Sequence, residues 1–76
     1  MTNTEMLNEY INASGLKKSY LALRLGIQPS TLTRKINNGQ EFKASEIDLL
    51  CEILQIGSLK EKEAIFFARE VAKTAT

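Results

Sequence analysis

Between Lys17 and Gly39 the chain reads KKSYLALRLGIQPSTLTRKINNG, and the spacings inside this stretch leave few ways to fold it. Ala22 is followed four residues later by Gly26, and Leu32 comes six after that. Two short helices that cross steeply need a small side chain where they touch, and Ala22 supplies one. The tight turn between them needs a residue that tolerates positive φ, which Gly26 does at little cost. Pro29 stands where a second helix would begin, and in a first turn its fixed φ and missing N–H are harmless. Leu21, Leu25, Ile27, Leu32 and Ile36 then recur so that they can be buried together beneath the corner. The pattern predicts a helix–turn–helix, a unit whose second helix enters the major groove of DNA.

The rest of the chain sets the frame for that unit. Its 76 residues make one domain, 1–76, with the motif at about 17–38, and 43% hydrophobic residues suit a small folded core. No apolar run reaches the roughly 20 residues of a membrane span, and the first residues lack a signal-peptide pattern, so the expected location is cytoplasmic, with no membrane partner. The lone cysteine, Cys51, reads as a small buried hydrophobe and not as a reactive thiol. A net charge of +1 is low for a DNA binder, but it is unevenly spread. Residues 15–43 carry six basic side chains against Glu41, a net of +5, while the segments before and after each carry −2. Positive charge thus gathers on the motif.

Five helices and no strands are expected, because nothing alternates with period two over a useful length. Thr2 and Glu5 suggest a capping box for the first helix, Met6, Leu7, Tyr10 and Ile11 its inward stripe, and Gly15 its end. The second helix is placed at about Lys17–Leu25 and the third at about Pro29–Asn37. A polar turn, Asn38-Gly39-Gln40-Glu41, follows, with Phe42 folding back as an anchor. Ile47, Leu50, Cys51 and Leu54 keep helical spacing over Ala44–Leu54, which Gly57 would end. Ser58 and Glu61 form a second capping-box pattern that opens a helix running to about Val71. The residues from 73 to 76 have nothing to bury and should fray.

Leu21-Ala22, Leu25-Gly26-Ile27, Pro29-Ser30-Thr31-Leu32-Thr33-Arg34 and Asn37 resemble the helix–turn–helix family of phage Cro proteins and lambda-type repressors, the XRE type. Phe42, Glu46-Ile47 and Ile65-Phe66-Phe67 are similar to a branch of small regulators common in phages and mobile elements of Gram-positive bacteria. The resemblance implies an all-α, five-helix, lambda-repressor-like domain with the motif at helices two and three. It also implies a transcriptional regulator bound to operator DNA as a Cro-like repressor or genetic-switch protein. Carried over by position, the base-reading residues are Gln28, Pro29, Ser30, Thr33 and Arg34. Three departures stand out. Pro29 replaces a side chain that often carries an amide, Lys17 and Lys18 replace a capping hydroxyl and a glutamine, and Lys35 replaces a buried apolar residue.

The residues make a physical case of their own. On a helix from Pro29, Ser30, Thr33, Arg34 and Asn37 share one face while Leu32 and Ile36 share the other. Arginine can pair bidentately with guanine O6 and N7, and hydroxyls serve several bases. Lys17, Lys18, Ser19, Lys35, Asn37 and Lys43 are expected at phosphates, where they give affinity and register. Ile65, Phe66, Phe67 and Val71 form an apolar set wider than one stripe. One of the two phenylalanines should fill the core while the other helps build a homodimer, or a heterodimer with another regulator. With no histidine, no cysteine cluster and no glycine-rich phosphate loop, the chain is not expected to be an enzyme, to hold a cofactor or metal, or to bind a small molecule. A second reading is a module of the same fold that binds and modulates a partner repressor. An antitoxin would need a toxin-wrapping segment for which little length is spare.

Overall fold

A computed structural model describes residues 1–68 of the chain. Five helices follow one another: α1 (Thr4–Ser14), α2 (Lys18–Leu25), α3 (Pro29–Ile36), α4 (Ala44–Ile53) and α5 (Leu59–Phe66). Among the described residues there is no strand. Every helix gives a few side chains to a single core: Leu7 and Ile11, Leu21 and Ala22, Leu32 and Ile36, Ile47 and Leu50, Ile65 and Phe66, joined by Leu54 and Ile56. Phe42 is half-buried and meets Phe66 edge-to-face, with ring centroids 5.6 Å apart at 89°, so the segment before α4 is pinned to the core.

The helix ends show how local chemistry sets the boundaries. Asn3, not Thr2, caps α1, its Oδ1 accepting from Met6 N–H at 3.1 Å. Thr2 is buried one step earlier, where both of its backbone groups pair with Asn38: Thr2 N–H donates to Asn38 Oδ1 at 2.7 Å, and Asn38 Nδ2 donates to Thr2 O at 2.9 Å. At α5, Ser58 Oγ accepts from Glu61 N–H at 3.4 Å. The Glu61 carboxylate does not return to the cap but accepts from the Tyr10 hydroxyl, so only half of the expected box forms. That bond, then partial burial, raises the Tyr10 pKa.

Two helices end on left-handed residues that are not glycine, α4 two residues before the Gly57 expected to end it. α3 leaves through Asn38 (φ 68) and α4 through Gln55 (φ 58), while Gly39 and Gly57 are not left-handed. In each case the next N–H reaches back five residues, Gly39 to Arg34 O and Ile56 to Cys51 O, both at 2.8 Å. This closure uses the left-handed residue to turn the following N–H groups onto the orphan carbonyls of the last turn, and asparagine accepts that conformation more readily than glutamine. Gly15 (φ 73) and Gly26 (φ 72) end α1 and α2 where expected.

Helix α5 stops at Phe66, short of the expected Val71. Phe67 N–H makes the last helical bond, to Glu63 O, and the following amide, Ala68 N–H, turns away to Met1 O at 2.9 Å. Asn3 N–H likewise donates to Ile65 O at 2.6 Å. The N-terminal segment therefore captures the backbone that would have continued the helix. Val71 and the 73–76 tail lie outside the described residues.

Candidate nucleic-acid interface

The corner between α2 and α3 is made by three residues, Gly26, Ile27 and Gln28. Gly26 N–H donates to Leu23 O at 3.1 Å and Ile27 N–H to Ala22 O at 3.0 Å, which turns the chain within one residue of left-handed backbone. Ala22 is fully buried there, and Leu25 and Ile27 pack half-buried against the core. Gln28 follows in extended conformation (ψ 149) as the N-cap of α3, and its side chain makes no capping bond. Its amide is thus left free beside Pro29, the first residue of α3.

From this corner α3 presents two chemically distinct sides. Leu32 and Ile36 are buried, and Gln28, Pro29, Ser30, Thr33, Arg34 and Asn37 are exposed. The exposed side offers two amides, two hydroxyls and a guanidinium along about two and a half helical turns. Lys17, Lys18 and Ser19 are exposed at the start of α2, where Lys17 is an N-cap without an acceptor, and Lys43 is exposed at the start of α4.

Lys35 does not belong with them. Its side chain is 2% exposed, and its Nζ donates to Glu46 Oε1 at 2.6 Å, so it faces the core and cannot reach a phosphate from this position. Lys35 lies one residue before Ile36 on the inward side of α3, and Glu46, at the third position of α4, supplies the counter-charge that allows an ammonium to be buried. The same Oε1 accepts Lys43 N–H at 2.8 Å, forming the half of a capping box that a lysine N-cap permits. Glu46 is therefore buried although it stands in the first turn of α4. Burial acts to raise its pKa, but the bond from Lys35 and then the Lys43 N–H outweigh it and hold the carboxyl below its usual range.

Sequence reasoning passed over the outer side of α2. Tyr20 and Leu23 are exposed, Leu23 by 76%. With Ser19, Ile27, Gln28 and Pro29 they line an open cleft of about 550 Å³ beside the start of α3. Arg24 Nη1 donates to the Tyr20 hydroxyl at 2.9 Å, and its guanidinium sits 5.8 Å from the Tyr20 ring centroid. The i, i+3, i+4 spacing of these three residues off the buried stripe was the available signal.

The apolar set at the end of the described chain is divided. Ile65 is buried and Phe66 is 4% exposed, while Phe67 is 58% exposed. Phe66 is core, and Phe67 is the aromatic left at the surface. Cys51 is half-buried, and burial raises its pKa. Among the described residues no three His, Cys, Asp or Glu side chains stand together as a metal site, and no helix is long and apolar enough to cross a membrane. No family model, curated protein or solved structure matches the chain.

Proposed function

We propose that this chain is a sequence-specific DNA-binding regulator of the Cro and lambda-type helix–turn–helix kind, in which α3 enters the major groove. One observation carries the reading: α3 buries Leu32, Lys35 and Ile36 and turns Gln28, Pro29, Ser30, Thr33 and Arg34 outward, at a three-residue corner packed against α2. The exposed basic residues Lys17, Lys18 and Lys43 lie at the ends of the neighbouring helices, where a phosphate rim is needed. In this reading Arg34 contacts guanine, the hydroxyls of Ser30 and Thr33 serve neighbouring bases, and Pro29 makes only steric contact. A single module reads few base pairs, so the active form is a homodimer, or a heterodimer with another regulator, spanning half-sites about one helical turn apart. The exposed Phe67 is an aromatic available for that contact.

Fluorescence anisotropy with duplex DNA flanking the gene tests this directly. Affinity should fall steeply as salt rises, because each neutralised phosphate releases counterions. Lys18→Ala should weaken binding to cognate and random duplexes alike and flatten the salt slope. Arg34→Ala should cost about 1–3 kcal/mol on the cognate duplex and relax the choice of one base. A chain that binds no DNA at low salt would support the second reading, a module that binds a partner repressor. The exposed Leu23 and Tyr20, beside the same corner, are the apolar surface such a module would use.

A further inference from the structure

Arg34 is held by the turn that follows its own helix. Gly39 N–H donates to Arg34 O at 2.8 Å, which folds residues 37–40 back over the last turn of α3. The Arg34 side chain lies against this turn: a Cβ placed on Gly39 would stand 2.7 Å from Arg34 Cγ, 3.3 Å from Arg34 O and 3.6 Å from Cδ. The φ of Gly39 is not positive, so its backbone conformation does not demand glycine; the stem of Arg34 does. One residue later, Gln40 Oε1 accepts from Arg34 Nη1 at 3.3 Å. The turn is itself anchored, since Asn38 grips both backbone groups of Thr2.

We infer that Gly39 and Gln40 are positioning residues that set the base specificity of Arg34, Gly39 by leaving room for its stem and Gln40 by holding one end of its guanidinium. This inference rests on the proposed DNA-binding role of α3. A guanidinium has five N–H donors in a fixed planar fork. With Nη1 occupied by Gln40, the fork retains donors on Nε and Nη2 that can address guanine O6 and N7 together. A free arginine would lose rotamer freedom on making that contact, whereas a pre-held one has already lost part of it. The turn therefore acts on discrimination more than on general affinity, because phosphate contacts made elsewhere do not depend on the Arg34 rotamer.

The test compares Gln40→Ala and Gly39→Ala with wild type on two probes: duplexes selected by the wild-type protein from a random-sequence pool, and the unselected pool. Both variants should lower the ratio of the two affinities by roughly three- to tenfold, with binding to the unselected pool unchanged. In an Arg34→Ala background, neither should change the ratio further. Gln40→Glu keeps the acceptor and should retain the discrimination of wild type even if added negative charge weakens binding to both probes. An unchanged ratio in the two alanine variants would overturn the inference. So would an equal loss on both probes, which would make Gln40 a phosphate contact. Thermal melting identifies a variant that has lost its fold, and Gln40→Ala, which alters no backbone requirement, keeps the test decisive if Gly39→Ala does. Relaxation of the Arg34 Nε–Hε group by NMR needs no DNA: the group should be ordered in wild type and mobile in Gln40→Ala. Absence of DNA binding by wild type with that ordering intact would count against the proposed function alone; a mobile Arg34 in wild type would remove the positioning claim alone.

Discussion

Lys35 Nζ and Glu46 Oε1 lie 2.6 Å apart with both side chains withdrawn from water, so α3 and α4, which also bury Leu32, Ile36 and Ile47, are joined by charge. Such a pair is costly to form and more costly to break, because a remaining partner is left charged without water. Glu46→Gln should therefore lose about 3–5 kcal/mol in urea denaturation, a large share of what so small a domain holds. Adding Lys35→Met to it should restore most of that stability, since the glutamine still accepts Lys43 N–H and no charge remains buried. A double variant as unstable as Glu46→Gln alone would show that the ammonium was not the source of the loss.

The same pair fixes an acid limit. Burial pushes the Glu46 carboxyl up, but the Lys35 ammonium and the Lys43 N–H hold it below its usual range. A depressed folded pKa contributes stability fully above the unfolded value, about 4.3, and loses it as pH falls through the lower folded value. Melting temperature should be insensitive to this group between about pH 5 and 7 and should drop below about pH 4. The Lys35→Met, Glu46→Gln variant should show a shallower acid limb.

Phe66 and Phe67 should separate cleanly. Phe66→Ala empties a core position that also meets Phe42 edge-to-face, and should cost about 3–5 kcal/mol. Phe67→Ala, at a surface position, should stay within about 0.5 kcal/mol. Sedimentation equilibrium on both should show association shifted only by Phe67→Ala. If both lose stability alike, the exposure of Phe67 is not its working state.

Gln55 carries a cost that glycine would remove. A left-handed non-glycine residue is disfavoured by roughly 1–2 kcal/mol, and the added freedom of glycine in the unfolded chain returns part of it. Gln55→Gly should then stabilise the domain by about 0.5–1 kcal/mol in thermal melts. A destabilised variant would mean that the Gln55 side chain makes a contact worth more than the strain.

Ala22 should tolerate nothing large. It is fully buried where α2 meets α3, so Ala22→Leu should cost about 1–3 kcal/mol or more through overpacking. A melting temperature equal to wild type would contradict the close crossing of the two helices.

The parts of the fold that could be read from sequence are those whose cause is local. Ala22, Gly26 and Pro29 each answer a demand made within a few residues, and the corner stands where they place it. Lys35 could not be read this way, because its burial depends on Glu46, eleven residues away on another helix. A lysine without a visible partner is assigned to solvent by class alone. Asn38 and Gln55 were hidden by the glycines that follow them, which are the commoner left-handed residues. The end of α5 depends on Met1 and Asn3, at the far end of the described chain, and no periodicity encodes such a pairing. Of the outward side chains at α3, Ser30, Thr33, Arg34 and Asn37 followed from helical geometry and Gln28 only from the resemblance, whereas the contact of Arg34 with Gln40 required the path of the turn.

The short segment before α1 has a consequence in time. Thr2 is bound to Asn38 at the exit of α3, while Met1 and Asn3 are bound to Ala68 and Ile65 at the exit of α5. During synthesis Met1, Thr2 and Asn3 leave the ribosome long before residues 65–68 exist. Contacts between residues so far apart in sequence carry a large loop-closure cost and form late. The contacts of Met1 and Asn3, on either side of the Thr2 that holds this turn, therefore form only when translation has passed α5. A nascent chain that stops short of α5 can wind α3 and pair Thr2 with Asn38, yet Met1 and Asn3 on either side of Thr2 lack their partners. Synthesis of α5 thus completes the anchoring of the segment on which the exit of α3 rests.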